Sequence, residues 1–270
     1  MDNAAAAEIM PKKKGVTGST IKLIAIIAMF IDHTGAIILE RMMIKEGMGS
    51  ILDVSSAAMF LQQNMALYIS DIVLRLVGRL GFPIFCFLLI EGFEHTHNVK
   101  KYASRLFLFA LISEIPFDLG FKGTFFYWGY QNVFFTLLFG LLVMIGLRFI
   151  EERTEWNKIL KAVANVLVLV AGMSAAIVMQ TDYSAFGVLT VAVMYLFRNK
   201  KTLSAGLGCT TLTVMSPTEI TAFLVLIPIH KYNGERGWNI KWLFYAFYPV
   251  HILLLYLIAC ALGLSQVAMF

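Results

Sequence analysis

The chain has 270 residues, of which 59% are hydrophobic and 14% are charged, and its formal net charge is +5. A soluble domain carries about 25% charged residues, so this chain has too few charges to cover a water-facing surface. The composition excludes a cytoplasmic globular enzyme, a disordered chain, a collagen-like repeat and a coiled coil. It predicts an all-α, polytopic transmembrane helix bundle that forms a single domain over residues 1–270.

Long apolar segments predict about nine spans. The first, residues 21–39, follows a polar and basic tail (residues 1–19), and Ser19 and Thr20 are candidates for its N-cap. The other predicted spans are residues 72–91, 102–119, 132–150, 159–179, 183–197, 203–214, 219–230 and 242–262. Residues 54–69 carry no charge and are helical in composition. They extend the second span or lie in the outer interface, and a full crossing there would make ten spans.

The basic residues indicate the orientation of the chain. If the N-terminus is cytoplasmic and every segment crosses, 17 of the 22 basic residues fall on the inner side, in agreement with the positive-inside rule. The five that remain in the outer half are Arg41, Lys45, Arg75, Arg79 and Lys122. The basic loops therefore mark a cytoplasmic face, and we expect no nucleic-acid partner.

Polar and ionisable residues inside the apolar segments form a second pattern. A charge in the hydrocarbon region costs at least about 2.5 kcal/mol, so such residues face inward, pair with one another and mark functional sites. The predicted topology places one set at a single depth in the outer leaflet, which predicts a polar cavity. Its members are Asp32, His33, Arg79, Glu114, Asp118, Asn132, Thr136 and Asp182.

Packing alone is the competing explanation for part of this set. A buried ion pair can lock helices together, and Asn or Thr between helices often serves packing, so Arg79, Asp118, Asn132 and Thr136 fit either role. For Asp32 and His33 the sequence shows no packing role, which favours a functional role for this pair. Adjacent helical residues point about 100° apart, so we expect one of the two to face a neighbouring helix and the other the cavity.

Two predicted inner loops are basic. Residues 91–105 include Lys100, Lys101 and Arg105, and residues 230–237 include Lys231 and Arg236. These loops signal orientation, and they could also hold the phosphates of an anionic cytosolic donor. No metal site is predicted, because the histidines of the first loop lack a third ligand and the three cysteines are far apart in apolar runs.

The motifs resemble those of TraX-type proteins. The resemblance lies in residues 21–36 (IKLIAIIAMFIDHTGA), 77–106 (VGRLGFPIFCFLLIEGFEHTHNVKKYASRL), 109–118 (FALISEIPFD), 132–136 (NVFFT), 182–183 (DY), 231–234 (KYNG) and 247–251 (FYPVH). It covers nearly the whole chain, and the block around residues 78–93 is fairly specific. Residues 41–71 contain no familiar motif.

The resemblance implies a multi-pass acetyltransferase of the bacterial cytoplasmic (inner) membrane. The founding member of the family N-acetylates the amino terminus of a conjugative pilin, and the resemblance implies acetyl-CoA as the co-substrate. Members of the family are similar to transmembrane acyltransferases, which deliver an acyl group from cytosolic coenzyme A to an acceptor at the other face. For this chain the acceptor amine or hydroxyl belongs to a pilin, another exported peptide or a glycan.

Acyl transfer needs a base for the acceptor proton and donors for the oxyanion. We expect His33 to be the base, Asp32 or Glu114 to fix its tautomer, and Arg79 and Asn132 to hold the oxyanion. Acetyl-CoA would be bound by Lys100, Lys101 and Arg105, with Lys231 and Arg236 as second choice and His251 on the path between the two faces. His251 and His33 are also the candidate nucleophiles if an acyl-enzyme intermediate forms.

The alternative function is an ion-coupled transporter or permease, because short interrupted spans and intramembrane carboxylates are also typical of carriers. Against it, the sequence shows no repeat that relates two halves, and its polar groups lie in the outer leaflet rather than at the midplane.

Overall fold

The computed structural model describes residues 14–265 and 267. In this part of the chain the regular structure is helical, with two isolated β-bridges, between Val16 and Tyr232 and between Gln131 and Thr181. Lys12 and Lys13, which the charge count assigns to the inner side, and most of the predicted tail lie outside the described residues. The prediction of an all-α chain is confirmed.

Eleven α-helices, one π-helical turn and two 3-10 segments follow one another along the described residues. They are α1 (Gly18–Thr34), a π-turn (Gly35–Leu39), α2 (Glu40–Lys45), a 3-10 turn (Met48–Ser50), α3 (Val54–Gly78), α4 (Gly81–Glu94), α5 (Val99–Lys122), α6 (Val133–Glu151), α7 (Lys158–Val178), α8 (Ser184–Leu196), α9 (Lys201–Met215), a 3-10 segment (Pro217–Val225), α10 (Leu226–His230) and α11 (Lys241–Ala261). Helix is therefore found within the limits of every predicted span.

Five helical stretches of the described chain are long and apolar enough to cross a membrane. They are Gly18–Lys45, Val54–Glu94, Val133–Glu151, Lys158–Val178 and Lys241–Ala261. Helix α7 shows most clearly that the surface is adapted to lipid, because Ala176 is its one buried residue while Ile159, Val166 and Val178 are mostly exposed. A water-soluble protein rarely exposes such a continuous apolar surface.

Short polar side chains determine where several helices begin. Each accepts a hydrogen bond from a backbone N–H of the first turn, which otherwise has no intrahelical partner. The residues are Thr17, Asp53, Asn98, Asn132 and Asn157. The prediction of Ser19 or Thr20 as the first N-cap is wrong, because Thr17 Oγ1 accepts from the Thr20 backbone N–H at 3.4 Å.

The second predicted span, residues 72–91, is not one helix. The chain breaks between Gly78 and Gly81, and residues 54–69 belong to the same helix as residues 70–78, with one non-helical residue at Asn64. Residues 54–69 are therefore continuous with the helix that begins the second predicted span. The break brings the chain close to α1, because Gly78 lies directly against Asp32.

Arg41 is fully buried and joins three parts of the bundle. Its guanidinium donates to the carbonyls of Leu119 and Gly120 near the end of α5, at 3.3 and 2.8 Å, and to those of Leu264 and Val267 beyond α11, both at 3.2 Å. Terminal carbonyls of helices have no intrahelical donors. Arg41 donates to the Gly120 and Val267 carbonyls and adds a second donor at Leu119 and Leu264, which also accept from backbone N–H groups. It therefore fixes the ends of α5 and α11 to α2.

Replacing Arg41 tests this role. We expect Arg41→Met to lower the free energy of unfolding by about 1–3 kcal/mol, because it removes the hydrogen bonds of a buried guanidinium, including the donor to the Gly120 carbonyl. Thermal unfolding in detergent measures the change. Lys45→Met on the exposed side of α2 is the matched control, and equal melting temperatures for the two variants would contradict the assignment.

Candidate active site

Two histidines from the two ends of the chain meet between α1 and α11. His33 Nδ1 and His251 Nε2 are joined by a hydrogen bond of 2.7 Å, and the rings are nearly parallel, 8° apart. His251 Nδ1 donates to the Phe247 carbonyl at 2.7 Å, and the Phe247 ring stacks on His251. The expectation that Asp32 or Glu114 orients His33 is wrong, because His33 faces α11 while Asp32 faces α3.

Asp32 pairs with Arg75 on α3. The distance from Arg75 Nη1 to Asp32 Oδ1 is 2.8 Å, and the same guanidinium reaches Glu40 Oε1 at 3.4 Å. Asp32 and His33 take partners on different helices, α3 and α11, but both line the small cavity described below. The prediction that one of them faces a neighbouring helix and the other the cavity is therefore wrong in its second part. Arg75 itself was missed, although its position four residues before Arg79 places the two guanidiniums on one face of the chain.

Arg79 pairs with a carboxylate that sequence reasoning did not select. Arg79 Nη1 lies 3.1 Å from Oε1 of Glu219, which is 1% exposed and belongs to the 3-10 segment before α10. Glu219 was predicted only as the first residue of a short span. Its pairing shows that this irregular segment packs against the break between α3 and α4.

Glu114 and Asn132 connect α5 to the start of α6 by hydrogen bonds. The Asn132 backbone N–H donates to Glu114 Oε1 at 3.0 Å, while its Nδ2 donates to the same oxygen and to the Ala110 carbonyl. Its Oδ1 accepts from the Phe134 backbone N–H and caps α6. The predicted oxyanion role of Asn132 is therefore wrong, because all its donors are used.

The other predicted cavity members divide into two groups. Asp118 accepts from the Tyr127 backbone N–H, and Thr136 donates to the Asp182 carbonyl, so these residues organise loops and helix contacts. The Asp182 side chain accepts from the Tyr130 hydroxyl at 2.9 Å and lines a cavity together with Asp32 and His33. Of the eight predicted cavity members, three line this space, namely Asp32, His33 and Asp182.

We call this space the small cavity. Its volume is about 40 Å³, and it lies at the break between α3 and α4. Its walls are formed by Met29, Asp32, His33, Gly78, Gly81, Phe82, Phe85, Val133, Asp182, Tyr183 and Tyr248. Tyr183 has a backbone φ of 59° and stacks on Phe82 with ring centroids 3.8 Å apart, which holds its ring against the wall.

A larger space, the basic cavity, opens near the beginning of α1. Its volume is about 390 Å³, and its walls combine cations with aromatic rings. The cations are Lys22, Arg105, Arg236 and Lys241, and the rings include Phe85, Tyr102, Phe134, Tyr232, Phe244 and Tyr245. Such a lining suits an anionic ligand with an apolar or aromatic portion.

The basic cavity contains some of the predicted phosphate-binding residues. Arg105 and Arg236 line it, whereas Lys100, Lys101 and Lys231 do not. His251 does not line it either, and its ring is hydrogen-bonded to His33 between α1 and α11. Lys22 and Lys241 were missed as ligand-binding candidates, since basic residues at the start of apolar spans were interpreted as orientation signals only.

The loop before α11 fixes the basic residues at the mouth of this cavity. The first N–H groups of α1, at Gly18 and Ser19, donate to the carbonyls of Glu235 and Arg236 at 2.8 and 2.9 Å. The Trp238 backbone N–H in turn donates to Ser19 Oγ. These bonds bring Arg236 to the same rim as Lys22.

Phe85 is common to the walls of the two cavities. Next to it, Phe134 of the basic cavity meets Tyr248 of the small cavity in an edge-to-face contact of 5.1 Å. Aromatic side chains therefore separate a large basic chamber from the histidine pair. Within the described residues, no group of three or more His, Cys, Asp or Glu side chains could hold a metal ion.

These features define an all-helical chain with membrane-type apolar helices, a large basic cavity and a small cavity lined by one member of a buried histidine pair. The chain belongs to the TraX family, because the family model described as "TraX protein" matches residues 17–259. The "Probable fimbrial assembly protein FimC, serogroup H1" of Dichelobacter nodosus is 29% identical over 258 residues, which cover 87% of this chain and 92% of that relative. No solved structure matches the chain.

Two glycines at the helix break provide a matched test of the site's packing. A Cβ at Gly78 would lie 2.2 Å from Asp32 Cβ, whereas one at Gly81 would come no closer than 3.9 Å to Phe85. Overpacking costs about 1–3 kcal/mol, so we expect Gly78→Ala to lower the melting temperature in detergent while Gly81→Ala leaves it nearly unchanged. Equal effects would show that α1 and α3 are not in close contact.

Proposed function

We propose that this protein is a membrane acetyltransferase that moves an acetyl group from cytosolic acetyl-CoA to an acceptor amine or hydroxyl at the outer face. The observation that best supports this proposal is that the basic cavity and the small cavity are neighbours, with Phe85 lining both. In this proposal the protein is a single domain in the bacterial cytoplasmic membrane, with a cytoplasmic N-terminus and about nine spans.

The basic cavity supports the choice of donor. Coenzyme A carries several phosphate charges and an adenine ring, joined by a narrow arm to the thioester. Lys22, Arg105, Arg236 and Lys241 supply the complementary charge, and Tyr232 and Phe244 offer faces on which a planar ring can stack. The volume of about 390 Å³ lies within the range of ligand pockets. The thioester end would then approach the small cavity past Phe85.

His33 is the base in the proposed reaction. It accepts the proton of the acceptor amine or hydroxyl as that group attacks the thioester carbonyl. A carbon–nitrogen or carbon–oxygen bond forms, the carbon–sulfur bond breaks, and the proton passes from His33 to the departing thiolate. The proton balance is therefore complete within one direct transfer.

The charged pairs around the small cavity support the same step. Arg79 lies on the turn between Gly78 and Gly81, two wall residues, so its positive potential would stabilise the oxyanion without direct contact. Asp32 lines the cavity and, held by its ion pair with Arg75, would accept a hydrogen bond from the neutral acceptor amine and orient it.

The comparisons support an exported acceptor. The relative from Dichelobacter nodosus has a name that refers to fimbrial assembly, and the family is known in pilin processing. We propose the amino terminus of a pilin or another exported peptide as the acceptor, with a glycan hydroxyl as the second possibility. An ion-coupled carrier, the competing function, would neither bind acetyl-CoA nor hydrolyse it.

Removing the imidazole of His33 tests the chemistry. We expect His33→Ala to keep its affinity for acetyl-CoA but to lose at least about 100-fold in acetyl transfer, because general base catalysis contributes about 10²–10⁴-fold. Transfer of radiolabelled acetyl to a pilin peptide by purified protein measures this effect. His97→Ala, in an exposed loop, serves as control. Near-normal turnover in His33→Ala would overturn the assignment.

Removing cations tests the basic cavity. We expect Arg105→Gln and Arg236→Gln each to raise the Kd for acetyl-CoA about 10-fold, because each loses one charge-assisted hydrogen bond. Lys100→Gln and Lys101→Gln remove the same charge from exposed positions outside the cavity and are expected to bind normally. Titration calorimetry in detergent measures the four affinities, and equal losses would place the donor elsewhere.

A further inference from the structure

We infer that His251 is a positioning residue that fixes the tautomer of His33, so that Nε2 of His33 is the basic nitrogen. The inference rests on the proposed function insofar as His33 acts as a base, but the tautomer itself follows from the hydrogen bonds. It assigns to His251 a role different from donor binding.

The chain of hydrogen bonds starts at a backbone carbonyl. The Phe247 oxygen can only accept, so the 2.7 Å contact with His251 Nδ1 requires a proton on that nitrogen. A neutral imidazole carries one proton, which leaves His251 Nε2 as an acceptor. The 2.7 Å contact between His251 Nε2 and His33 Nδ1 then requires the proton on His33 Nδ1.

The surroundings favour a neutral pair. His33 and His251 are 9% and 2% exposed, and in the described part of the chain no carboxylate is hydrogen-bonded to either ring. Their ring contacts are instead with Phe247, Phe121 and Tyr248. A cation buried among these rings without a carboxylate partner would cost several kcal/mol.

The packing holds this arrangement in one orientation. Phe247 stacks on His251 with ring centroids 4.4 Å apart and an interplanar angle of 9°. The His33 and His251 rings lie side by side, 8° from parallel with centroids 4.9 Å apart, and are joined edge to edge by the 2.7 Å hydrogen bond. Because Nδ1 of His33 is occupied, Nε2 is the remaining nitrogen of a side chain that lines the small cavity. When it accepts the acceptor proton, Nδ1–H keeps its bond to His251, so no proton has to move between the rings.

Two substitutions at His251 separate positioning from packing. In His251→Gln the amide oxygen can still accept from His33 Nδ1–H, whereas His251→Leu provides no acceptor. We expect His251→Leu to lower kcat for acetyl transfer about 10–100-fold with little change in the KM for acetyl-CoA, and His251→Gln to restore most of that loss. Melting temperatures in detergent show whether both variants fold.

Nitrogen NMR of protein labelled with ¹⁵N-histidine reads the tautomer without any assay of activity. The chain contains five histidines, so His33 and His251 can be assigned by substitution. We expect a protonated Nδ1 and an unprotonated Nε2 on His33 in the wild type and in His251→Gln, and a mixture of tautomers in His251→Leu.

The outcomes distinguish this inference from the proposed function. A proton on His33 Nε2 in the wild type, or full kcat in a folded His251→Leu variant, would overturn the inference even if the protein transfers acetyl groups. The expected tautomer in a protein that transfers no acetyl group would support the His251 assignment and refute the proposed function.

Discussion

Ionisable groups buried in an apolar bundle must find partners, and in this protein those partners lie on other parts of the chain. Arg41 bonds the carbonyl ends of α5 and α11, Arg75 joins α3 to α1, and Arg79 joins the helix break to the 3-10 segment. Each pair is costly to break because the lone charge would remain in a low-dielectric interior. These contacts hold α1, the helix break and α11 in the register that brings His33 to His251. The site is therefore a consequence of how the bundle compensates its buried charges.

The same arrangement separates two chemical environments. The basic cavity contains four cations and several aromatic rings near the start of α1, whereas the small cavity is lined by His33, two carboxylates and two tyrosines. A reaction between an anionic cytosolic donor and an exported acceptor needs both environments and a short path between them. Aromatic side chains lie between the two cavities, and Phe85 lines both. In our proposal the apolar partition keeps water from the thioester until the acceptor arrives.

Much of the fold could be predicted from the sequence, because apolar segments and short polar caps are local signals. The all-helical chain and the helix in each expected segment came from such signals. The hydrogen-bond and ion-pair partners of the buried polar residues could not be predicted from local signals. His33 and His251 are 218 residues apart, and Glu219 begins an irregular segment, so their contacts depend on tertiary packing. Helix periodicity also could not reveal the break at Gly78. Nor could it show that Asn132 donates all its N–H groups to residues of α5. Lys22 and Lys241 were overlooked because a basic residue at the end of a span has the same pattern whether it signals orientation or binds an anion.

The central claim is that one donor molecule extends from the basic cavity to the histidine pair. A structure of the detergent-solubilised protein with a ketone analogue of acetyl-CoA, in which a methylene replaces the sulfur, tests it most directly. We predict that the nucleotide phosphates lie between Arg105, Arg236 and Lys241. We also predict that the analogue passes Phe85 and that its carbonyl carbon lies close enough to His33 for an attacking amine to fit between them, with the amine about 3 Å from Nε2. An analogue bound away from the basic cavity, or one whose ketone stays remote from His33, would contradict the account.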